Sequence, residues 1–227
     1  MTKPGYINAA FRSSRNNEAY FFMNDKYVLL DYAPGTPNDE VLNGPEFVRD
    51  GFRSLAHTVF GSYGIDCAFD TDNTEAFIFY ENFCALIDYA PQSDGDKIIS
   101  GPKTISDMFP FFKGTVFEKG IDAAFRSTTD KEAYLFKGDK YARIDYESNS
   151  LVQSIENISD GFPCFRGTVF ENGLDAAFAS HKINEAYFFK DEYNTCVLFV
   201  PGSTDRYPVT RTLDNWKSLR GIIPEQN

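Results

Sequence analysis

A five-residue string is written four times along this chain, and a repeat of that kind limits the fold more than any single motif does. The copies are Ile7-Asn8-Ala9-Ala10-Phe11, Ile65-Asp66-Cys67-Ala68-Phe69, Ile121-Asp122-Ala123-Ala124-Phe125 and Leu174-Asp175-Ala176-Ala177-Phe178. The steps from Asn8 to Asp66, Asp122 and Asp175 are 58, 56 and 53 residues, a period that points to a propeller or an array. Each copy is aliphatic at one end, aromatic at the other and small between, which suits a strand that others approach closely. The four strands are expected to ring a common axis.

Each unit carries further signals in one order. A polar turn follows the inner strand (Ser13-Ser14-Arg15-Asn16-Asn17, or Ser127-Thr128-Thr129-Asp130), then a Glu-Ala-aromatic strand opens at Glu18, Glu75, Glu132 or Glu185. These glutamates are read as flanking a turn, with a second acidic ring as the alternative. Short linkers such as Lys137-Gly138-Asp139-Lys140 turn the chain back as a hairpin. The third strand ends in Asp31-Tyr32, Asp88-Tyr89 and Asp145-Tyr146, and these aspartates are expected to accept backbone hydrogen bonds at a corner. In the fourth unit Val197 or Leu198 stands where that Asp should be.

Pro- and Gly-bearing connections then lead to Asp50-Gly51-Phe52, Asp107-Met108-Phe109, Asp160-Gly161-Phe162 and Asp214-Asn215-Trp216, each read as a brief helix or an outer strand. Three strands and an outer element make a blade. The expectation is therefore one all-β domain over 1–227, a four-bladed β-propeller with blades near 5–60, 61–117, 118–170 and 171–223.

The 23 Phe and 13 Tyr fit an all-β chain. A net charge of −11 disfavours nucleic acid and anionic membranes and favours cations, polyamines among them, while also serving solubility. Cys67, Cys84, Cys164 and Cys196 show no C-x-x-C spacing and read as small buried thiols of a reduced protein. With no apolar signal region and no membrane-length run, a cytosolic location is expected. No G-x-S-x-G, P-loop or H-E-x-x-H occurs, and two histidines staff few acid–base sites, so no catalysis is expected.

From residue 5 to 223, the Asp-Ala-Ala-Phe, Glu-Ala-Tyr-Phe-Phe and Tyr-x-x-x-Asp-Tyr strings resemble hemopexin repeats, which form four-bladed β-propellers. The opening Gly5–Phe11 and the closing Trp216–Pro224 are similar to those of the legume seed albumins in that family. The resemblance implies a central tunnel in which main-chain carbonyls of Asn8, Asp66, Asp122 and Asp175 face a bound cation. Calcium is the implied ion, with sodium and chloride as further tunnel ions. Ala10, Ala68, Ala124 and Ala177 leave such an axis clear, and hard cations take carbonyl oxygen. The other reading of the four residues is that each caps a loop.

The resemblance further implies spermine or a related polyamine as ligand, hemin as another, and a homodimer. Glu118 and Glu171 precede inner strands and are candidates for an acidic tunnel mouth that takes the polyamine; Gly61 replaces them in the second unit. His57 and His181 are the imidazoles open to hemin, and each reads more readily as a surface residue. Secreted hemopexin domains tie the first blade to the last by a disulfide, but no Cys lies in the first blade, so closure by strand pairing and packing is expected. A nutrient reserve with incidental ligands and a protein-binding adapter are the alternative functions.

Overall fold

Short strands with small residues on both faces explain how four sheets close into one ring. The structure, a computed structural model, describes residues 6–128, 130–199 and 205–224; the expected blade start at residue 5 and Thr129 of the third turn lie outside the described residues. The first sheet runs β1 (Ala9–Arg12), β2 (Glu18–Met23), β3 (Lys26–Asp31) and β4 (Glu40–Phe47) from the inside outward. The second repeats this as β5 (Cys67–Asp70), β6 (Glu75–Tyr80), β7 (Phe83–Asp88) and β8 (Lys97–Thr104). The third has β9 (Ala123–Arg126), β10 (Glu132–Lys137) and β11 (Lys140–Asp145), with its outer strand split into β12 (Ser150–Leu151) and β13 (Glu156–Asn157). The fourth is β14 (Ala176–Ala179), β15 (Glu185–Lys190), β16 (Tyr193–Leu198) and β17 (Thr210–Arg211). Within the four sheets the described strands pair antiparallel.

Alternation along β1 sends Ala9 and Phe11 into a core shared with Ala68 of β5, and Ala10 into one shared with Ala176 and Phe178 of β14. Both faces of β1 are thus buried and one edge is paired with β2, so its other edge looks at the axis. β9 lies beside β5 and β14 in the same way, which closes the ring as a four-bladed β-propeller.

The Asp-aromatic segments follow outer strands rather than replacing them, and each is a one-turn helix. They are α1 (Val48–Gly51), α3 (Ile105–Met108), α4 (Ile158–Gly161) and α5 (Thr212–Asn215), while α2 (Val59–Tyr63) lies in the first connection. Gly51 and Gly161 are needed there, because a Cβ would meet the Tyr27 hydroxyl at 2.2 Å and the Tyr141 ring at 2.3 Å. The expected boundary at 60/61 falls inside α2, and that at 117/118 inside the 3-10 turn Val116–Lys119.

Closure differs from the expectation. Each sheet is built from one unit's own strands, so among the described residues no strand pairing joins the first blade to the last. Instead Phe21 packs edge-on against Phe178, with centroids 5.4 Å apart, and against Trp216 at 5.1 Å. Arg12 Nη1 donates to the Ser180 carbonyl at 2.9 Å. All four cysteines are buried, and burial pushes the Cys84 thiol up to about 12.

Candidate cation site

Each of the four repeated Asn/Asp residues sits one place before its inner strand, and its N–H donates to the carbonyl of Phe22, Phe79, Phe136 or Phe189. The side chains turn toward the hairpin of their own blade. These hairpins have two-residue loops whose first residue has positive φ: Asn24 (55°), Glu81 (49°), Gly138 (55°) and Asp191 (50°). The N–H of that residue needs an acceptor. Asn8 Oδ1 supplies it for Asn24 at 2.7 Å, and an Oδ2 does so from Asp66 (2.9 Å), Asp122 (2.8 Å) and Asp175 (2.6 Å). An amide oxygen serves as well as a carboxylate, which explains why Asn8 is tolerated.

The second carboxylate oxygens differ between blades. Asp122 Oδ1 accepts from Lys137 Nζ at 2.7 Å and Asp175 Oδ1 from Lys190 Nζ at 2.9 Å. Burial opposes the charge on Lys190, but Asp175 outweighs it and holds the ammonium above its ordinary pKa. Met23 and Tyr80 occupy the equivalent positions in the first two blades.

A cavity of ≈ 330 Å³ opens here, with Asn8, Asp122, Asp175 and Lys190 on its wall; Asp66 does not reach it. Among the described residues no group of three or more His, Cys, Asp or Glu side chains is placed to hold a metal. With these side chains bonded to the hairpins, a cation beside them would have to draw on main-chain oxygens.

Glu118 and Glu171 lie elsewhere. Glu118 Oε2 accepts from Gly114 N and Glu171 Oε2 from Gly167 N, both at 2.8 Å, so each caps its own interblade turn, and neither lines the mouth cavity. The strand-end aspartates behave as expected: Asp31 and Asp88 accept from the N–H of Ala33 and Ala90, and Asp145 from Glu147 and Ser148. Leu198 takes the fourth position, opposite Glu185. His57 is exposed. His181 is not a surface residue: it is half-buried, stacked on Tyr32, with both ring nitrogens in hydrogen bonds.

The far ends of the inner strands carry a charged cluster that the sequence reading did not single out. Arg12, Asp70, Arg126 and Ala179 end the four inner strands. Buried Asp70 accepts from Arg12 Nη2 at 3.1 Å, with Arg126 Nη1 at 3.7 Å. Burial raises the pKa of Asp70 against the pull of both arginines. The signal was available, since these residues directly follow the Phe of each repeated string.

Comparison with known proteins accords with this architecture. The hemopexin family profile matches residues 121–165. Albumin-2 of Pisum sativum is 72% identical over 231 residues, covering 100% of both chains. A plant albumin from Cicer arietinum showing hemagglutination has a TM-score of 0.96 at 74% identity, over 98% of this chain and 100% of that one. A plant lectin with two metal binding sites from Cicer arietinum gives 0.95 at 75% identity, with 98% and 100% covered. The hemopexin fold protein CP4 from cow pea gives 0.94 at 52% identity, again over 98% and 100%. With whole-length identity and a shared four-bladed ring, the chain belongs to the legume seed albumin-2 group of the hemopexin family.

Proposed function

We propose that this chain is a non-enzymatic, ligand-binding seed albumin that holds a cation in its tunnel and takes a polyamine at the tunnel mouth. The supporting observation is the cavity bordered by Asn8, Asp122 and Asp175 in a chain of net charge −11. Main-chain oxygens of Asn8, Asp66, Asp122 and Asp175 would hold calcium or sodium, with chloride as a further tunnel ion. The cation supplies fixed positive charge on the axis that steadies the converging carbonyls. The Cicer lectin with two metal binding sites supports this reading.

The pairing of Asp122 with Lys137 and of Asp175 with Lys190 supports the polyamine, because those carboxylates already accept ammonium groups. Hemin is the second ligand, with exposed His57 or a tyrosine as the iron ligand, since the ring nitrogens of His181 are engaged. A cytosolic homodimer acting in polyamine metabolism and oxidative-stress balance completes the reading. Titration with spermine by calorimetry tests it: saturable binding that weakens with salt is expected, and a flat trace at millimolar ligand overturns it.

The Cicer albumin showing hemagglutination favours a second reading, a sugar-binding lectin. Agglutination of erythrocytes by this chain, reversed by a simple sugar, would favour it over the first.

A further inference from the structure

The glutamates that open the second strands act as controls for one another. Strand alternation puts Glu18, Glu132 and Glu185 on the face of the aromatic residue two places on, Tyr20, Tyr134 or Tyr187. The register sets these tyrosines opposite Leu29, Arg143 and Cys196. In the third blade Arg143 Nε donates to Glu132, and the guanidinium lies over the Tyr134 ring, 5.7 Å from its centroid. Carboxylate, cation and ring form one assembly.

The first blade gives its glutamate a different charged donor, Arg15, although Oε2 of Glu18 stays buried without a hydrogen-bond partner. Glu18 is 6% exposed, and Arg15 Nε and Gln92 Nε2 both donate to its Oε1 at 3.0 Å. In the fourth blade Glu185 is 5% exposed, yet its Oε1 is buried without a hydrogen-bond partner. Cys196 stands where the third blade has Arg143; its thiol is within hydrogen-bond reach of the carboxyl group but brings no charge. Glu18 and Glu132 each have an arginine donor, and a buried carboxylate without one is costly, so among the described residues Glu185 is the one of the three that lacks a charged partner.

A cavity of ≈ 500 Å³ lies where that partner would be, at the seam between the fourth and first blades. Glu185 and Cys196 line it beside Tyr32, Tyr187 and Trp216. Several other polar groups on the wall are already used, and Lys182 lines it as well. Asn194 donates to Thr210 and accepts from Trp216 Nε1, and Asp39 accepts from the N–H groups of Lys217 and Ser218. A sugar would need several free polar groups; this wall offers the unmatched Glu185 oxygen and the Lys182 side chain among aromatic faces.

We infer that the seam cavity binds a monovalent organic cation, a guanidinium or ammonium head on a short apolar stem, in the place that Arg143 fills in the third blade. Two N–H donors would satisfy Oε1 of Glu185, and the head would lie on the Tyr187 ring. Glu185 and Lys190 open and close β15, so this site stands apart from the tunnel mouth and does not depend on the function proposed above.

The test uses n-propylguanidinium, the Arg143 side chain as a free molecule, and its neutral isostere n-propylurea. Binding is followed by calorimetry and by emission of Trp216, the chain's one tryptophan. Saturable, salt-weakened binding of the cation is expected, with the urea at least ~10-fold weaker. Glu185→Gln should weaken the cation at least ~10-fold, and Cys196→Arg should abolish its binding by installing the group itself. No saturation by ~10 mM, equal binding of the urea, or unchanged binding by Cys196→Arg overturns the inference. Should Glu185→Gln fail to fold, Cys196→Arg decides alone. Spermine binding at the tunnel mouth should survive Cys196→Arg, which separates failure of one site from failure of the other.

Discussion

The hydroxyl of Tyr32 and Nδ1 of His181 lie 2.7 Å apart across 149 residues of sequence, and this pair clasps the first blade to the last. Tyr32 Oη also accepts the His181 backbone N–H at 2.7 Å, so its own proton goes to Nδ1 and Nε2–H donates to the Ser13 carbonyl at 3.1 Å. The imidazole is held neutral. Burial first, and the Arg12 guanidinium second, bring its pKa from 6.5 down to about 4. Below pH 6.5 the unfolded chain takes up this proton before the folded one does. The clasp's contribution is therefore complete above pH 6.5 and is lost as pH falls toward about 4, by roughly 2–3 kcal/mol. Urea unfolding at several pH values, with His181→Gln lacking this part of the slope, checks it; parallel curves for the two proteins would refute it.

Asp39 should matter to closure as much as an aromatic contact does. Its carboxylate accepts from Lys217 N at 3.2 Å and Ser218 N at 2.9 Å, which starts the last blade's 3-10 turn on an acid from the first. Asp96 does the same for Arg53 and Ser54 one seam away. The turns Pro110–Phe112 and Pro163–Phe165 open on proline, which has no N–H to offer. Asp39→Ala and Asp96→Ala should each cost about 1–2 kcal/mol in denaturant unfolding. A loss within error would mean these caps are matched by water.

Substitution at Asp122 and Asp175 separates side-chain from main-chain ligation of a tunnel cation. Asn8 already shows that an amide caps the hairpin, so Asp122→Asn and Asp175→Asn should change stability by less than ~1 kcal/mol. Calcium affinity measured by calorimetry should stay within ~3-fold if carbonyls bind the ion. A fall of an order of magnitude would assign the ion to the carboxylates instead.

Lys137 and Lys190 compete with any cationic ligand for the same carboxylates. Removing them in Lys137→Ala and Lys190→Ala should tighten spermine binding at the mouth by ~3- to 10-fold and steepen its salt dependence. Weaker binding in the variants would move the polyamine away from this end of the tunnel.

The parts that were legible in the sequence are those set by local pattern. Each inner strand begins one residue after the Asn or Asp, and each second strand begins at its Glu, because alternation and the two-residue turns fix both. The aspartates at 31, 88 and 145 could be read for the same reason: their partners lie two or three residues away. Partners set by side-chain reach were not legible. Asp122 meets Gly138 only because the hairpin folds back on it, and the bond of Glu118 to Gly114 draws that carboxylate away from the mouth. The environment of His181 depends on a tyrosine in the opposite end of the chain. The difference between Glu132 and Glu185 appears only when the register sets Arg143 against Cys196.

Every sheet is finished within its own unit, and the seam between the last blade and the first carries side-chain contacts rather than a shared ladder. Among the described residues, parting that seam would break no strand pairing, so each blade could swing as an intact plate while the cross-strand bonds stay formed. Trp216 sits at that seam, and its emission would then report the gap while far-ultraviolet circular dichroism stayed unchanged.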